Sequence, residues 1–554
     1  WTPAAAGNRK TWTWSAWVKR SNLVDGAVWG VGTSATNYFN IRFQPDHLSI
    51  IEEATSTNIT LRTTQLFRDS SAWYHIFLSI DTTQATASDR AKLYVNGEQV
   101  TDFATAVYPS LNFDLLPNST TSHYFGVAGD VTTLLFDGYL SEVNFIDGLA
   151  LTPDSFGETG DYGEWKPLKY TGTYGTNGFY LDFKNSGSLG NDSAGSNNWT
   201  PTNLAATDQM LDSPTNNFCT LNPLESTATL SEGNLKVVTS SSTLSFSSFY
   251  LTTDRVYFEA VLVGSNIIQR EIGLCKDEPF TAFTGNERVD YQVQSDDTTV
   301  TIQRSGLGLS AVNLTTAQKY SGGDIVGITY DGVAGVVKFY KNNTLIHTET
   351  NSKFGTEQWR FYFRGAAINA VANFGQDSSF AGNKTPQGNS DANGIGDFYY
   401  QPPSGFLSLC TANLPSVDVI PSEHFNTVTW TGAGNASRSF TGVGFQPDFV
   451  WAKNRTGVAN HLLYDSIRTA GANKELISNS TGAEGGSNPD AFDYLSSFDT
   501  DGFSSTWSGT NSAYYFNAIS NNYVAWNWKA GGSASSNTNG SITSSVSANP
   551  SAGF

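Results

Sequence analysis

WYHIFLSID, a polar loop TTQATASDR and then AKLYVNG occupy residues 73–97. No other stretch narrows so sharply what the chain can become. Tyr74, Ile76, Leu78 and Ile80 alternate with Trp73, His75, Phe77 and Ser79, the period of a strand and not of a helix. Leu93 and Val95 alternate with Lys92, Tyr94 and Asn96 in a return strand. Asp81 closes the first run and Asn96-Gly97 the second, both with turn chemistry. The spacing predicts a β-hairpin. A related one is predicted over Gly323–Asn343, GDIVGITYDGVAGVVKFYKNN, again strand, Asp, turn and strand. There Asn342-Asn343 stands where Asn-Gly is usual, which should alter the turn without removing it.

The rest of the chain agrees with sheet. Gly numbers 52, aromatic residues reach 13% and charged residues only 15%. Turn formers beside β-formers, with few Leu/Glu/Lys runs, predict an all-β protein. At 554 residues the chain exceeds one hydrophobic core. The fold class expected is tandem β-sandwich (jelly-roll) domains followed by a smaller β-domain. The boundaries expected are a sandwich over 1–185, a linker over 186–220, a second sandwich over 221–384 and a connector over 385–424. A small β-domain over 425–532 and a Ser/Gly-rich lead-in over 533–554 complete the division. Residue 1 is Trp and the single Met is Met210, and the end SANPSAGF has no closing element, so further chain is expected before Trp1 and after Phe554.

Charge and cysteine narrow the function classes. A net charge of −19 with no basic cluster disfavours nucleic acid and anionic membrane surfaces as partners. No apolar run reaches membrane-spanning length, and no secretory leader stands at the start. Three cysteines, Cys219, Cys275 and Cys410, are too few for a disulfide framework, though one bridge stays open. Folding in a cytoplasm with later release fits that count.

Catalysis finds little support. Glycoside hydrolysis needs two carboxylates across the scissile bond. Glu52 and Glu53 are adjacent and point to opposite faces, Glu142 stands alone on its strand, and Asp277-Glu278 sit in a loop. No Gly-x-Ser-x-Gly elbow occurs, and the six histidines show no zinc spacing. His75 reads as a packed core histidine. The chain is therefore expected not to be an enzyme and to need no cofactor, with calcium the one ion its acidic turns would suit. Asp81, Asp89, Asp137 and Asp147 are the metal candidates. Trp14 and Trp17 lie on opposite faces of one predicted strand. At most one of them should be core, and the other face offers a ligand-binding or packing platform.

Several segments carry resemblances. TWTWSAWVKR, WYH, KLYVNG and FDGYLSEV together resemble the concanavalin A-like, laminin-G-type jelly roll, and with LTPDSFGE the version in tailed-phage fibre proteins. Tyr257-Phe258-Glu259, Ile272-Gly273-Leu274, Gly323–Gly327, Lys338–Asn342 and Asn373–Gln376 resemble the SPRY domain, which binds partners through loops. GFQPDFVWAKNR, SFDTDGF and YVAWNWKAGG resemble a small β-domain of phage fibre-like proteins. The resemblances imply a virion appendage, a tail fibre or spike, outside the cell, that recognises its host through β-sandwich loops, and the Thr82–Arg90 loop is a candidate contact surface. Its implied partners are host cell-surface glycan or protein and other virion proteins, its implied state a homo-oligomer such as a trimer. Two alternatives are a structural decoration or connector protein of the virion, and a bacterial surface adhesin or polysaccharide-degrading enzyme.

Overall fold

A computed structural model describes the chain except residues 35, 55, 130–133, 161, 240–242, 265–269, 279, 281–286, 295, 367, 416–418 and 487–490. Residues 416–418, within the expected connector, thus lie outside the described residues. Among the described residues the secondary structure is strand with short 3-10 turns and no α-helix, as the composition predicts. The chain divides into two compact units, Trp1–Glu158 with Trp165–Leu414, and Thr159–Glu164 with Pro415–Phe554.

The first unit contains two sandwiches. In the first, one six-stranded sheet runs in the order Phe179–Leu181, Gly138–Asp147, Thr11–Arg20, Trp73–Asp81, Ala91–Val95, Glu98–Gln99. The facing sheet is His123–Phe125, Gly26–Ser34, Asn37–Gln44, His47–Glu53, Thr57–Leu66, Phe103–Val107. Between them lie Trp12, Trp14, Val18, Trp29, Phe39, Ile76, Leu78, Leu93 and Phe145, all buried. The second sandwich pairs two seven-stranded sheets around Phe258, Ile272, Tyr291, Ile328, Phe339, Trp359 and Phe361.

Both predicted hairpins form. Ile76 faces Val95 and Ile80 faces Ala91; Val326 faces Lys341 and Asp331 faces Val336. They share one device at the next turn. The Asn96 N–H donates to the His75 carbonyl at 2.9 Å, and its Oδ1 accepts the His75 N–H at 2.8 Å. Asn342 treats Ile325 in the same way, at 2.8 and 2.9 Å. Each asparagine side chain thereby adds a rung to a ladder that the turn would otherwise end. Asn96 and Gly97 have φ of 49° and 81°, Asn342 and Asn343 of 46° and 64°. Two left-handed residues in succession are what a two-residue hairpin loop requires, and Asn tolerates that region nearly as Gly does. The Asn-Asn turn therefore keeps its place.

A buried polar seam joins the two sandwiches. Lys19 Nζ meets Asp212 at 2.7 Å, with both side chains at most 1% exposed. Asp212 also accepts the Trp73 indole N–H at 3.0 Å, and Lys19 donates to Asn217 Oδ1 at 2.7 Å. Asn217 reaches back to the Ser71 carbonyl and Asn234 to that of Ser21. Buried charge is tolerated only when paired and fully hydrogen-bonded, so Asp212, from the expected linker, serves as a clasp. The connector is ordered too: the Tyr399 and Tyr400 N–H groups donate to the buried Glu259 carboxylate, both at 2.9 Å.

In the second unit a five-stranded sheet runs Phe425–Thr431, Asn522–Trp528, Phe449–Asn454, Leu462–Asp465, Leu476–Ile477. A three-stranded sheet of Arg438–Phe440, Gly502–Trp507 and Asp493–Asp499 covers one side of it. Phe440, Val450, Leu462, Tyr464, Phe503 and Phe516 form the core between them. Asp493, fully buried, accepts the backbone N–H groups of 514, 515, 516 and 517 and fixes the segment that closes this core.

Candidate recognition surfaces

Each sheet has an inner face, which is core, and an outer face, which is where a ligand would lie. Trp14 and Trp17 were expected to supply such a platform, and the structure corrects this. Trp14 is 0% exposed in the inner core, stacked on Trp29 with centroids 5.9 Å apart. Trp17 does point to the outer face, yet it is only 3% exposed. It stacks on His75 at 5.0 Å, and Trp165 lies over His75 in turn at 6.1 Å. The Trp165 indole donates to His75 Nδ1 at 2.9 Å, and His75 Nε2 bonds Ser15 Oγ at 2.8 Å. Burial pushes the imidazole down to about 3, so it is neutral. The excursion that brings Trp165 back needs close approach: a Cβ on Gly157 would fall 2.4 Å from the indole and one on Gly97 2.8 Å. Phe156, Tyr170 and Tyr174 continue the cover over Phe77 and Ile146. The chain seals its own sheet face.

The four metal candidates stand apart as turn carboxylates. Asp81 accepts from Thr83 Oγ1 and Gln84 Nε2, each at 2.6 Å. Asp89 pairs with Lys92 at 3.1 Å. Asp137 accepts from Asn22 at 2.9 Å, and burial raises its pKa. Asp147 accepts from the Asn8 N–H at 2.8 Å, Asn118 Nδ2 at 2.6 Å and the Asn177 N–H at 3.1 Å. Among the described residues no three His, Cys, Asp or Glu converge as metal ligands. Local turn partners occupy Asp81, whereas Asp137 and Asp147 are held by asparagines distant in the chain. The loop after Asp81 is held by Arg90, which donates to the carbonyls of Gln84, Ala85 and Pro109. It presents exposed residues 83–88 on a fixed frame.

One carboxylate pair escaped the sequence reading. Glu271 faces Gln292 and Gly273 faces Asp290, so both acids lie on the same face of neighbouring strands, two residues out of step. The signal was an acid at the start of each of REIGLC and DYQVQS. Burial and the Glu271 charge raise Asp290 to about 7, against the Arg288 guanidinium at 3.0 Å. Gln292 Nε2 donates to Glu271 at 3.0 Å. Glu271 is 1% exposed and Asp290 0%, so the pair is closed to a polymer substrate.

The outer face of the five-stranded sheet differs. Strand pairing lays its residues in rows across the sheet. Phe425, Trp528 and Phe449 form one row, and Thr427, Trp526, Trp451 and Leu463 the next. Thr429, Val524 and Lys453 follow. Thr427, Thr429 and Thr431 are exposed; Trp451, Trp526 and Lys453 are half-buried. The Trp451 and Trp526 rings meet edge to face, centroids 5.4 Å apart at 61°. The alternation in FVWAKN and YVAWNW placed these indoles on one face, but nothing local said that the face would lie open.

Comparison with known proteins agrees with part of this. Residues 2–155 match the family model of the Concanavalin A-like lectin/glucanases superfamily, of laminin-G type, supporting the jelly roll expected there. Residues 420–554 match a domain of unknown function (DUF7483). No curated protein matches the chain. Among solved structures it is similar to the SPRY domain of human HERC1, at 12% identity over 27% of this chain and 96% of that one, TM-score 0.23. It is similar to domains LG4-5 of the mouse laminin alpha1 chain, at 10% identity over 67% and 83%, TM-score 0.24. It is also similar to domain 4 of AbnA, an extracellular arabinanase of Geobacillus stearothermophilus solved with arabinotriose, at 18% identity over 27% and 66%, TM-score 0.21.

Proposed function

We propose that the chain is a non-enzymatic adhesion component of a virion appendage, a tail fibre or spike, that recognises host-surface glycan or protein. The aromatic outer face of the five-stranded sheet carries this reading: Trp451 and Trp526 keep part of their ring surface exposed there, beside the exposed Thr427 and Thr429. Surface aromatics beside hydroxyls are the chemistry of recognition interfaces. The lectin/glucanase-type fold over 2–155 supports a binding role. The appendage reading rests on the resemblance of LTPDSFGE, GFQPDFVWAKNR and YVAWNWKAGG to phage fibre-like segments. In this reading the protein is extracellular, homo-oligomeric and anchored to other virion proteins, and several copies supply avidity. The test is labelled full-length chain incubated with host cells: saturable binding is expected, and no binding at micromolar protein would overturn the reading.

The Lys19–Asp212 clasp favours a second reading, a virion connector. A pair buried at a seam between two sandwiches makes them one stiff body, as a spacer requires. That reading gains if the chain captures virion proteins and ignores cells.

A further inference from the structure

The open sheet face in the second unit has a chemistry that selects among ligand classes. Its first row is closed at one end by the chain itself: Phe554 stacks on Trp528 at 5.9 Å and 23° and meets Phe449 at 6.0 Å. The second row, Thr427, Trp526, Trp451 and Leu463, has no such cover among the described residues. There the edge-to-face indoles make a floor and a wall. The Thr427 and Thr429 hydroxyls stand on one side. Lys453 and His461, whose ring lies 6.5 Å from that of Trp451, stand on the other.

Formal charge on this face is close to balanced. Asp465, at the far end of the Phe449 row, is neutralised by Arg468 at 2.6 Å, and Lys453 is the cation beside Trp451. The whole chain, by contrast, carries −19. A polyanion needs a line of cations to offset its phosphates or sulfates, and this face has none. A second copy of the chain would need a continuous apolar centre that excludes water, and here exposed threonines interrupt it at every second residue of the edge strand. An uncharged sugar ring needs an aromatic plane for its C–H face and short hydroxyl or amine groups at the ring edge. Neighbouring strands lie about 4.8 Å apart, a spacing comparable with a pyranose ring, so successive sugars can follow a row across the strands.

We propose that the Thr427–Trp526–Trp451 row binds an uncharged polysaccharide, a pyranose ring stacking on Trp526 and its hydroxyls meeting Thr427, Thr429 and Lys453. This rests on the adhesion reading and names the ligand class for its open face. The experiment is affinity electrophoresis of the full chain in gels of dextran, galactomannan, xylan and arabinan, with heparin as the anionic control and sedimentation velocity alongside. At least one neutral gel should retard the chain. Trp526→Ala should weaken that by about tenfold or more, the loss expected at an aromatic hot spot, while the chain stays folded by circular dichroism, and Trp526→Phe should restore part of it. Thr427→Glu places a charge on an exposed position without touching the core, and it should abolish retardation even if Trp526→Ala misfolds.

Retardation by heparin alone, or by no gel, overturns the proposal. So does a concentration-dependent dimer broken by Thr427→Glu, which would make a second copy the occupant. If the chain binds cells and Thr427→Glu binds them equally, adhesion stands and this site falls. If the neutral gels retard the chain and cells do not, the site stands and the adhesion reading falls.

Discussion

Trp17 and Trp526 sit in nearly the same local setting. Each is an outward-facing tryptophan in the interior of a sheet, in a strand that alternates aromatic and small residues, TWTWSAWV and YVAWNWK. One is sealed beneath His75 and Trp165, while the other is half-buried at an open surface. The difference is made elsewhere in the chain. In the first sandwich Phe156, Trp165, Tyr170 and Tyr174 lie back across the sheet, with Gly157 under the returning indole. On the five-stranded sheet, among the described residues, Phe554 closes the end of one row. Two strands with the same period can therefore have an outer face that is sealed in one place and partly exposed in another.

The comparison breaks most readily at Trp14 and Trp17. Trp14→Ala should destabilise the first unit by about 3–5 kcal/mol, transfer and cavity terms together, and Trp17→Ala should also destabilise it measurably. Trp526→Ala should change the stability of its unit by about 1 kcal/mol or less. Urea unfolding of each variant measures this, and a Trp17→Ala chain as stable as the parent would mean the outer face of the first sandwich is not sealed.

Next comes the clasp. Lys19→Ala leaves the Asp212 carboxylate buried without its cation and should cost about 3–5 kcal/mol. The Lys19→Met/Asp212→Leu double variant should lose less than either single change, because no charge is then stranded. A cycle with additive losses would show that the pair is not coupled.

Acid should act on the sealed sandwich with a definite sign. His75 and His123 are both held down to about 3 by burial. Their folded values lie below the unfolded 6.5 or so, so the unfolded chain binds more protons from pH 6.5 down to about 3. Stability falls across that window by up to about 1.4 kcal/mol per pH unit for each imidazole. Glu52, raised to about 7 by burial in the same sandwich, works oppositely from about 7 down to its unfolded value near 4.5, where the folded carboxyl is protonated and the unfolded one is not. Glu259 and Asp290 do the same in the second sandwich. Glu52→Gln should thus steepen the acid loss between pH 6.5 and 4.5, read as the shift of the urea midpoint with pH. An unchanged slope would mean Glu52 is ionised in the fold.

The smallest effect belongs to the shared hairpin device. Asn96→Ala removes a side-chain acceptor for the His75 N–H and puts alanine at φ 49°. A loss of about 1–2 kcal/mol is expected, and Asn342→Ala should match it within about 0.5 kcal/mol if the two turns are equivalent.

Much of the fold was legible. The hairpins at 73–97 and 323–343 could be read because alternation and turn residues are local signals, and both lie in the structure where the spacing puts them. Asp81 and Asp147 were visible as turn acids, but not as acids already saturated by Thr83, Gln84, Asn118 and Asn177. Asn118 and Asn177 come from far along the chain. Glu271 and Asp290 could be seen singly in two strands and not as a pair, since register between strands is not written in either one. Asp212 read as linker and proved to be a clasp.

Alone, the sequence determined the all-β class, the strand positions and which residues share a face, because the pleat and the turn act over a few residues. Only the tertiary structure decided which faces are covered. A period of two assigns side chains to sides without saying what lies against either side. That depends on Trp165 reaching His75 from 90 residues away and on no comparable segment among the described residues reaching the Trp526 row.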